Sequence, residues 1–83
     1  MASSYPTIRY GSSGQEVRRL QQALNREGYS LDVDGGFGKK TLAALMDYQR
    51  RVGMTPDGVA GSKTWASLGV QSAQDRLADL EKG

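Results

Sequence analysis

Three stretches of the chain place apolar residues at helical spacing, and a glycine closes each one. Val17, Leu20, Ala23 and Leu24 recur every three or four positions with Gln, Arg and Glu between them, which predicts a helix over about 14–27. Ser13, with Glu16 three residues on, forms a capping-box pair at its start, and Gly28 is a suitable stop. A second helix is predicted over 38–52, with Leu42, Leu45, Met46, Gln49 and Val52 as its inward stripe and Thr41, Ala44 and Tyr48 on a flanking face. Gln49 interrupts an otherwise apolar stripe and is expected to tie a loop amide. A third, shorter helix over 62–68 directs Trp65 and Leu68 to one side. Between the first two helices, Leu31 and Val33 alternate with Asp32 and Asp34 and are expected to turn inward. Ahead of the first, Ile8 and Tyr10 are expected to pin an extended segment to the core. Ala73, Leu77 and Leu80 make a thin stripe over 73–82, read as a fourth helix docked on the domain or as the start of a linker.

The linkers before the second and third helices are copies of one another. Asp34-Gly35-Gly36-Phe37-Gly38-Lys39-Lys40-Thr41 returns as Asp57-Gly58-Val59-Ala60-Gly61-Ser62-Lys63-Thr64, a spacing of 23 residues. Asp-Gly is a turn dipeptide whose Asp can accept from amides two or three residues on and whose Gly tolerates positive φ. Each copy reads as a tight turn that launches a helix, with Asp34 and Asp57 satisfying free N–H groups of the first helical turn. For these Asp and Gly residues, caps, turns and close packing are the simpler reading, set beside ligand contact.

Composition narrows the chemistry. Eighty-three residues with 37% hydrophobic and 24% charged content suit one small domain. The absence of Cys and His excludes disulfides, thiolate or imidazole metal sites and His-based triads within the chain. The net charge of +2 names no partner, and the longest apolar run, Leu42 to Met46, spans no membrane. The opening Met-Ala-Ser-Ser-Tyr-Pro has neither the charged nor the apolar region of a secretory leader.

The ordered pattern Ile8, Gly11-Ser12, Gly14, Val17, Leu20-Gln21 and Leu24 resembles the first half of the peptidoglycan-binding type 1 domain. Gly28-Tyr29, Asp34-Gly35, Phe37-Gly38, Thr41, Ala44-Leu45 and Tyr48-Gln49 continue the resemblance, and Gly53-Met54, Asp57-Gly58, Gly61, Thr64-Trp65 and Leu68 complete it. Tyr48 stands where the family usually has Phe. The resemblance covers residues 7–69, leaving an N-terminal arm of 1–6 and a helix or linker of 70–83. It implies an all-α fold, a small three-helix orthogonal bundle with no catalysis of its own. It also implies a module that holds a tethered or separate cell-wall lytic or remodelling enzyme on peptidoglycan, as part of a bacterial wall protein or a phage lysin. No cofactor, metal, nucleic acid or membrane is implied.

Peptidoglycan offers N-acetylated sugars, amides and carboxylates, so a binder needs aromatics, amide-matching groups and cations. The candidate ligand-binding residues are Asp34, Gly35, Phe37, Gly38, Lys40, Thr41, Tyr48, Arg50, Asp57, Gly58, Lys63, Thr64 and Trp65, framing a shallow groove between the two repeat loops and the adjoining helix ends. Each also has an architectural reading: Trp65 as core, Tyr48 as a buried ring with its hydroxyl at the surface, the cations as a solvated face. A calcium loop through Ser30, Asp32 and Asp34 is set aside, because Thr41 occupies the position where a bidentate Glu is needed. Two alternatives of another class are a helix-turn-helix-like nucleic-acid binder and a protein-interaction module. A third helix with one cation, Lys63, argues against the first.

Overall fold

Three α-helices form where the apolar periodicity puts them: α1 (Gln15–Arg26), α2 (Lys39–Arg51) and α3 (Ser62–Ser67). The computed structural model of the chain describes residues 6–69. The helix expected over 73–82 and most of the expected N-terminal arm lie outside the described residues. Among those described, the fold is all-α, with two isolated bridges, Ile8 with Ala60 and Ser13 with Gly36, as its extended pairing.

The helix starts differ from the sequence expectation in one consistent way: no polar side chain caps any of the three. Gly14, Gly38 and Gly61 occupy the N-cap positions, and none of the three helices has a side-chain cap hydrogen bond. The capping box from Ser13 to Glu16 does not form, because Ser13 is drawn into its bridge with Gly36 and Gly14 donates to the Gly35 carbonyl at 2.9 Å. Gly38 (φ −102°, ψ −163°) and Gly61 (φ −102°, ψ −168°) have nearly the same backbone, so the repeat in sequence is a repeat in geometry.

The core gathers Val17, Leu20 and Leu24 of α1, Leu45 and Tyr48 of α2, Trp65 of α3, and Ile8, Phe37, Ala60 and Leu68 from the segments between. On α2 the buried face is Thr41, Ala44, Leu45, Tyr48 and Gln49, rotated from the expected stripe. Val52 is exposed, and Leu42 and Met46 lie at the edge, over Gly58. The rotation follows from polar demands at both ends, since Thr41 and Gln49 must each face a repeat loop and share a helix face at this spacing. Val33 and Tyr10, expected to pack inward, are exposed, while Ile8 and Leu31 do pack on the core.

The segment Ile8–Gly14 straps the two repeats together. Ile8 exchanges both backbone hydrogen bonds with Ala60, at 3.2 and 2.9 Å. Four residues further on, Gly11 and Ser12 clip Phe37 in the same manner, each at 3.0 Å. Phe37 and Ala60 hold the same position in the two copies. A strap of four residues reaches at most about 14 Å, so it holds the Phe37 and Ala60 backbones within that distance of one another. Trp65 locks the strap's beginning by donating its indole N–H to the Pro6 carbonyl at 2.6 Å.

The aromatic residues therefore divide sharply. Trp65 is 1% exposed and Tyr10 is 55% exposed. In urea denaturation, Trp65→Ala is expected to cost about 3–5 kcal/mol, whereas Tyr10→Ala should stay within about 0.5 kcal/mol of the parent. A large loss of stability in Tyr10→Ala would contradict this packing.

Candidate functional site

Each repeat loop is built around one buried primary amide supplied by the preceding helix. From α1, Gln21 Nε2 donates to Asp34 Oδ1 (3.1 Å), the Gly36 carbonyl (3.0 Å) and Thr41 Oγ1 (3.1 Å), while its Oε1 accepts from the Gly35 amide (3.0 Å). From α2, Gln49 Nε2 donates to Asp57 Oδ1 (3.0 Å), the Val59 carbonyl (3.0 Å) and Thr64 Oγ1 (3.3 Å), and its Oε1 accepts from the Gly58 amide (3.0 Å). Position for position the two networks are the same. The expected loop tie through Gln49 is present, and Gln21 makes an identical one that the sequence reading passed over as a polar spacer.

Asp34 and Asp57 take a role different from the expected helix cap. Asp34 Oδ1 accepts from the Gly36 amide at 2.9 Å, and Asp57 Oδ1 from the Val59 amide at 3.0 Å. Both close the turn two residues on, because the glutamine amide and the turn amide together fix the carboxylate short of the helix. The Gly36 amide and the Gln21 side chain hold the Asp34 carboxyl below its ordinary value of 3.8, since both bonds favour the charged form. Gly35 and Gly58 sit at φ +81° and +73°, the left-handed region that L side chains avoid. A Cβ at Gly58 would also fall 2.6 Å from Leu42 Cδ1, and one at Gly35 would lie 3.2 Å from the Gly14 carbonyl oxygen.

Outside these locked turns, a cleft borders each repeat loop. A cleft of about 400 Å³ is lined by Gln21, Asp34, Gly36, Gly38, Lys39, Lys40 and Thr41, with Tyr10, Leu31 and Asp32. A second, of about 570 Å³, is lined by Gln49, Asp57, Val59, Gly61, Ser62, Lys63 and Thr64, with Gly53, Met54 and Thr55. The first seven of each set occupy corresponding positions around the repeat, and the two clefts share no lining residue. Lys39, Lys40 and Lys63 are exposed at the rims.

The structure brings Asp34, Gly38, Lys40 and Thr41 to the first cleft and Asp57, Lys63 and Thr64 to the second. Gly35 and Gly58 are buried beneath the loops. Phe37, Tyr48 and Trp65 are core residues, at 3%, 2% and 1% exposure, so the expected aromatic platform is not built from them. The Tyr48 hydroxyl does reach outward, to Ser67 Oγ at 2.6 Å. Arg50 lines neither cleft. Its neighbour Arg51 is spent on architecture. It pairs with Glu27 at 3.0 Å and lies over the Tyr29 and Tyr48 rings, 5.5 and 5.6 Å from their centroids. Tyr29 donates to Asp47 at 2.6 Å, and desolvation and that bond raise its hydroxyl above its ordinary value. An exposed aromatic does border the first cleft, Tyr10, which the sequence reading assigned to the core.

Among the described residues there is no group of three or more potential metal-ligating side chains, and no helix is long and apolar enough to cross a membrane. At six residues, α3 is short for a helix that reads a nucleic-acid groove.

Comparison with known proteins agrees on one family. The family model of a peptidoglycan binding domain matches residues 13–68. A spore cortex-lytic enzyme of Bacillus cereus is 44% identical over 76 residues, covering 90% of this chain and 29% of that protein. The crystal structure of the SleB N-terminal domain superposes with a TM-score of 0.74 at 43% identity, covering 81% of this chain and 93% of that one. A Burkholderia AP3 phage endolysin gives a TM-score of 0.76 at 42% identity, over 78% of this chain and 25% of that one. Curated relatives are longer proteins: the chain spans 64% of one and 29% of the Bacillus cereus enzyme.

Two outcomes follow from the amide locks. Gln21→Ala or Gln49→Ala removes the acceptor of a buried loop amide and a donor to a buried threonine hydroxyl, and each should cost about 2–4 kcal/mol in chemical denaturation. The depressed Asp34 carboxyl adds stability that is complete above its unfolded value of 3.8 and is lost as pH falls through its lower folded value. Asp34→Asn keeps an acceptor that does not titrate, so between about pH 5 and pH 2 its melting temperature should fall less than the parent's.

Proposed function

The chain belongs to the peptidoglycan binding domain family, and from that premise we propose that the two loop clefts form its wall-binding face. The reading is carried by one observation: the same six repeat positions, with the glutamine that locks each loop, line both clefts. A duplicated recognition surface suits a polymer that itself repeats. Each cleft offers what such a polymer requires. Backbone and side-chain polar groups lie at the floor for amides and hydroxyls, and lysine ammonium groups stand at the rim for carboxylates. Locked turns keep these groups in place before ligand arrives, which lowers the ordering cost of binding.

The module is non-catalytic in this proposal. It holds a cell-wall lytic or remodelling unit, on the same chain or a partner chain, against extracytoplasmic peptidoglycan. Weak affinity is enough for that task, because tethering raises the local concentration of the catalytic unit at its substrate. Glycan and stem peptide are both within reach of the chemistry.

Retention on purified sacculi tests the reading. Lys40→Ala combined with Lys63→Ala should lower the bound fraction about tenfold with an unchanged melting temperature, since charge-assisted contacts at two rims are lost. Arg50→Ala, outside both clefts, should bind like the parent. Equal retention of the double variant and the parent would remove the clefts from the proposal.

A further inference from the structure

The two clefts are equivalent at their floors and unlike at one wall. In the second, the additional wall is Gly53, Met54 and Thr55. In the first it is Tyr10, Leu31 and Asp32, and Tyr10 is 55% exposed. An aromatic left this open by a fold that buries Phe37, Tyr48 and Trp65 contributes little to the core. Its position is nonetheless firmly set. On one side Ile8 exchanges two backbone bonds with Ala60, and on the other Gly11 and Ser12 clip Phe37. Arg9 donates its amide to Ser12 Oγ at 3.1 Å, closing the turn around Tyr10. A ring on a tethered backbone beside a polar cleft presents a flat apolar face at small entropic cost.

The geometry points to Tyr10 as the specificity-determining residue of the first cleft, and to an N-acylated amino sugar of the glycan strand as its ligand. The inference rests on the wall-binding reading above. A pyranose ring has one face of C–H groups that packs on an aromatic ring, and an acyl methyl adds apolar area beside it. The exposed Asp32 carboxylate accepts from sugar hydroxyls or from the acylamino N–H. Lys39 and Lys40, which also line this cleft, supply donors for the sugar hydroxyls and the acyl carbonyl. The second cleft has a lysine but no aromatic among its lining residues, so it lacks the flat wall that selects a sugar.

The full chain, labelled with 15N, is titrated with the β-1,4-linked N-acetylglucosamine disaccharide and, separately, with the tripeptide L-Ala-γ-D-Glu-L-Lys. The disaccharide should shift the amides of Tyr10, Gly36 and Lys39 and leave those of Val59 and Ser62 in place. Tyr10→Ala should weaken disaccharide binding about tenfold, the loss of one aromatic stacking contact, while Tyr10→Phe retains it. Equal affinity in Tyr10→Ala, or shifts at the first cleft with the tripeptide alone, overturns the assignment. Retention on sacculi separates the two levels. If the parent is retained and the disaccharide result is negative, the wall-binding reading stands and the role of Tyr10 falls. If the parent is not retained, both fall.

Discussion

Two buried primary amides hold this small domain together. A glutamine side chain has two N–H donors and one carbonyl, and each of Gln21 and Gln49 uses both ends on a single Asp-Gly loop. Such a loop has little apolar surface with which to hold its shape, and its backbone amide is removed from water. In a low-dielectric interior that amide is costly unless it is paired. No buried side-chain N or O atom among the described residues lacks a partner. The geometry also passes order along the chain. The glutamine of α1 holds the loop that starts α2, and the glutamine of α2 holds the loop that starts α3. Helix orientation in this fold is therefore set by polar contacts as much as by the apolar faces.

The same device explains what could be read in advance. Helix positions, their glycine stops and the 23-residue repeat were legible because each is a local pattern: a period, a turn dipeptide, an interval. Gln49 stood out because it broke an apolar stripe. Gln21 did not, because α1 is rich in polar residues and a single glutamine among them looks like surface. A search by interval also misses the pair, since Gln21 precedes Asp34 by 13 residues and Gln49 precedes Asp57 by 8. The equivalence exists only in three dimensions. The rotation of the α2 face has the same cause: apolar periodicity favoured Leu42, Met46 and Val52, whereas the face is chosen by what the loops require at Thr41 and Gln49. Tyr10 was misjudged for a simpler reason. Its large ring and its place two residues after Ile8 suggested the core, but the turn that Arg9 and Ser12 close breaks the alternation and leaves Tyr10 exposed.

The strap joins the local units into one surface. Phe37 and Ala60, equivalent residues of the two repeats, are clipped four residues apart on the same short segment. Without it, two turn-and-helix units would each present a loop in an orientation decided by helix packing alone. With it, the Phe37 and Ala60 backbones are held within about 14 Å of one another. Side chains at the strap's outward positions necessarily lie between or beside the clefts, which is how a residue distant in sequence from both repeats becomes part of the first one.

Rigidity and duplication together decide what kind of binder this can be. A cleft whose floor is fixed by amide locks, and whose turn glycines at positions 35 and 58 hold conformations other residues resist, cannot close around a ligand. It can only offer a prepared surface, and shallow prepared surfaces give modest affinity per contact. On the proposed wall-binding reading, two such surfaces on one small domain alter that balance when the ligand is a chain of repeating units. Release from one cleft leaves the next unit of the same strand near the other, so rebinding competes with escape. Short residence at each cleft with long residence on the polymer is the behaviour required of a module that keeps a tethered unit on its substrate without fixing it to one point. On that reading the behaviour would trace to two glutamine side chains, which hold two copies of one turn in the same shape.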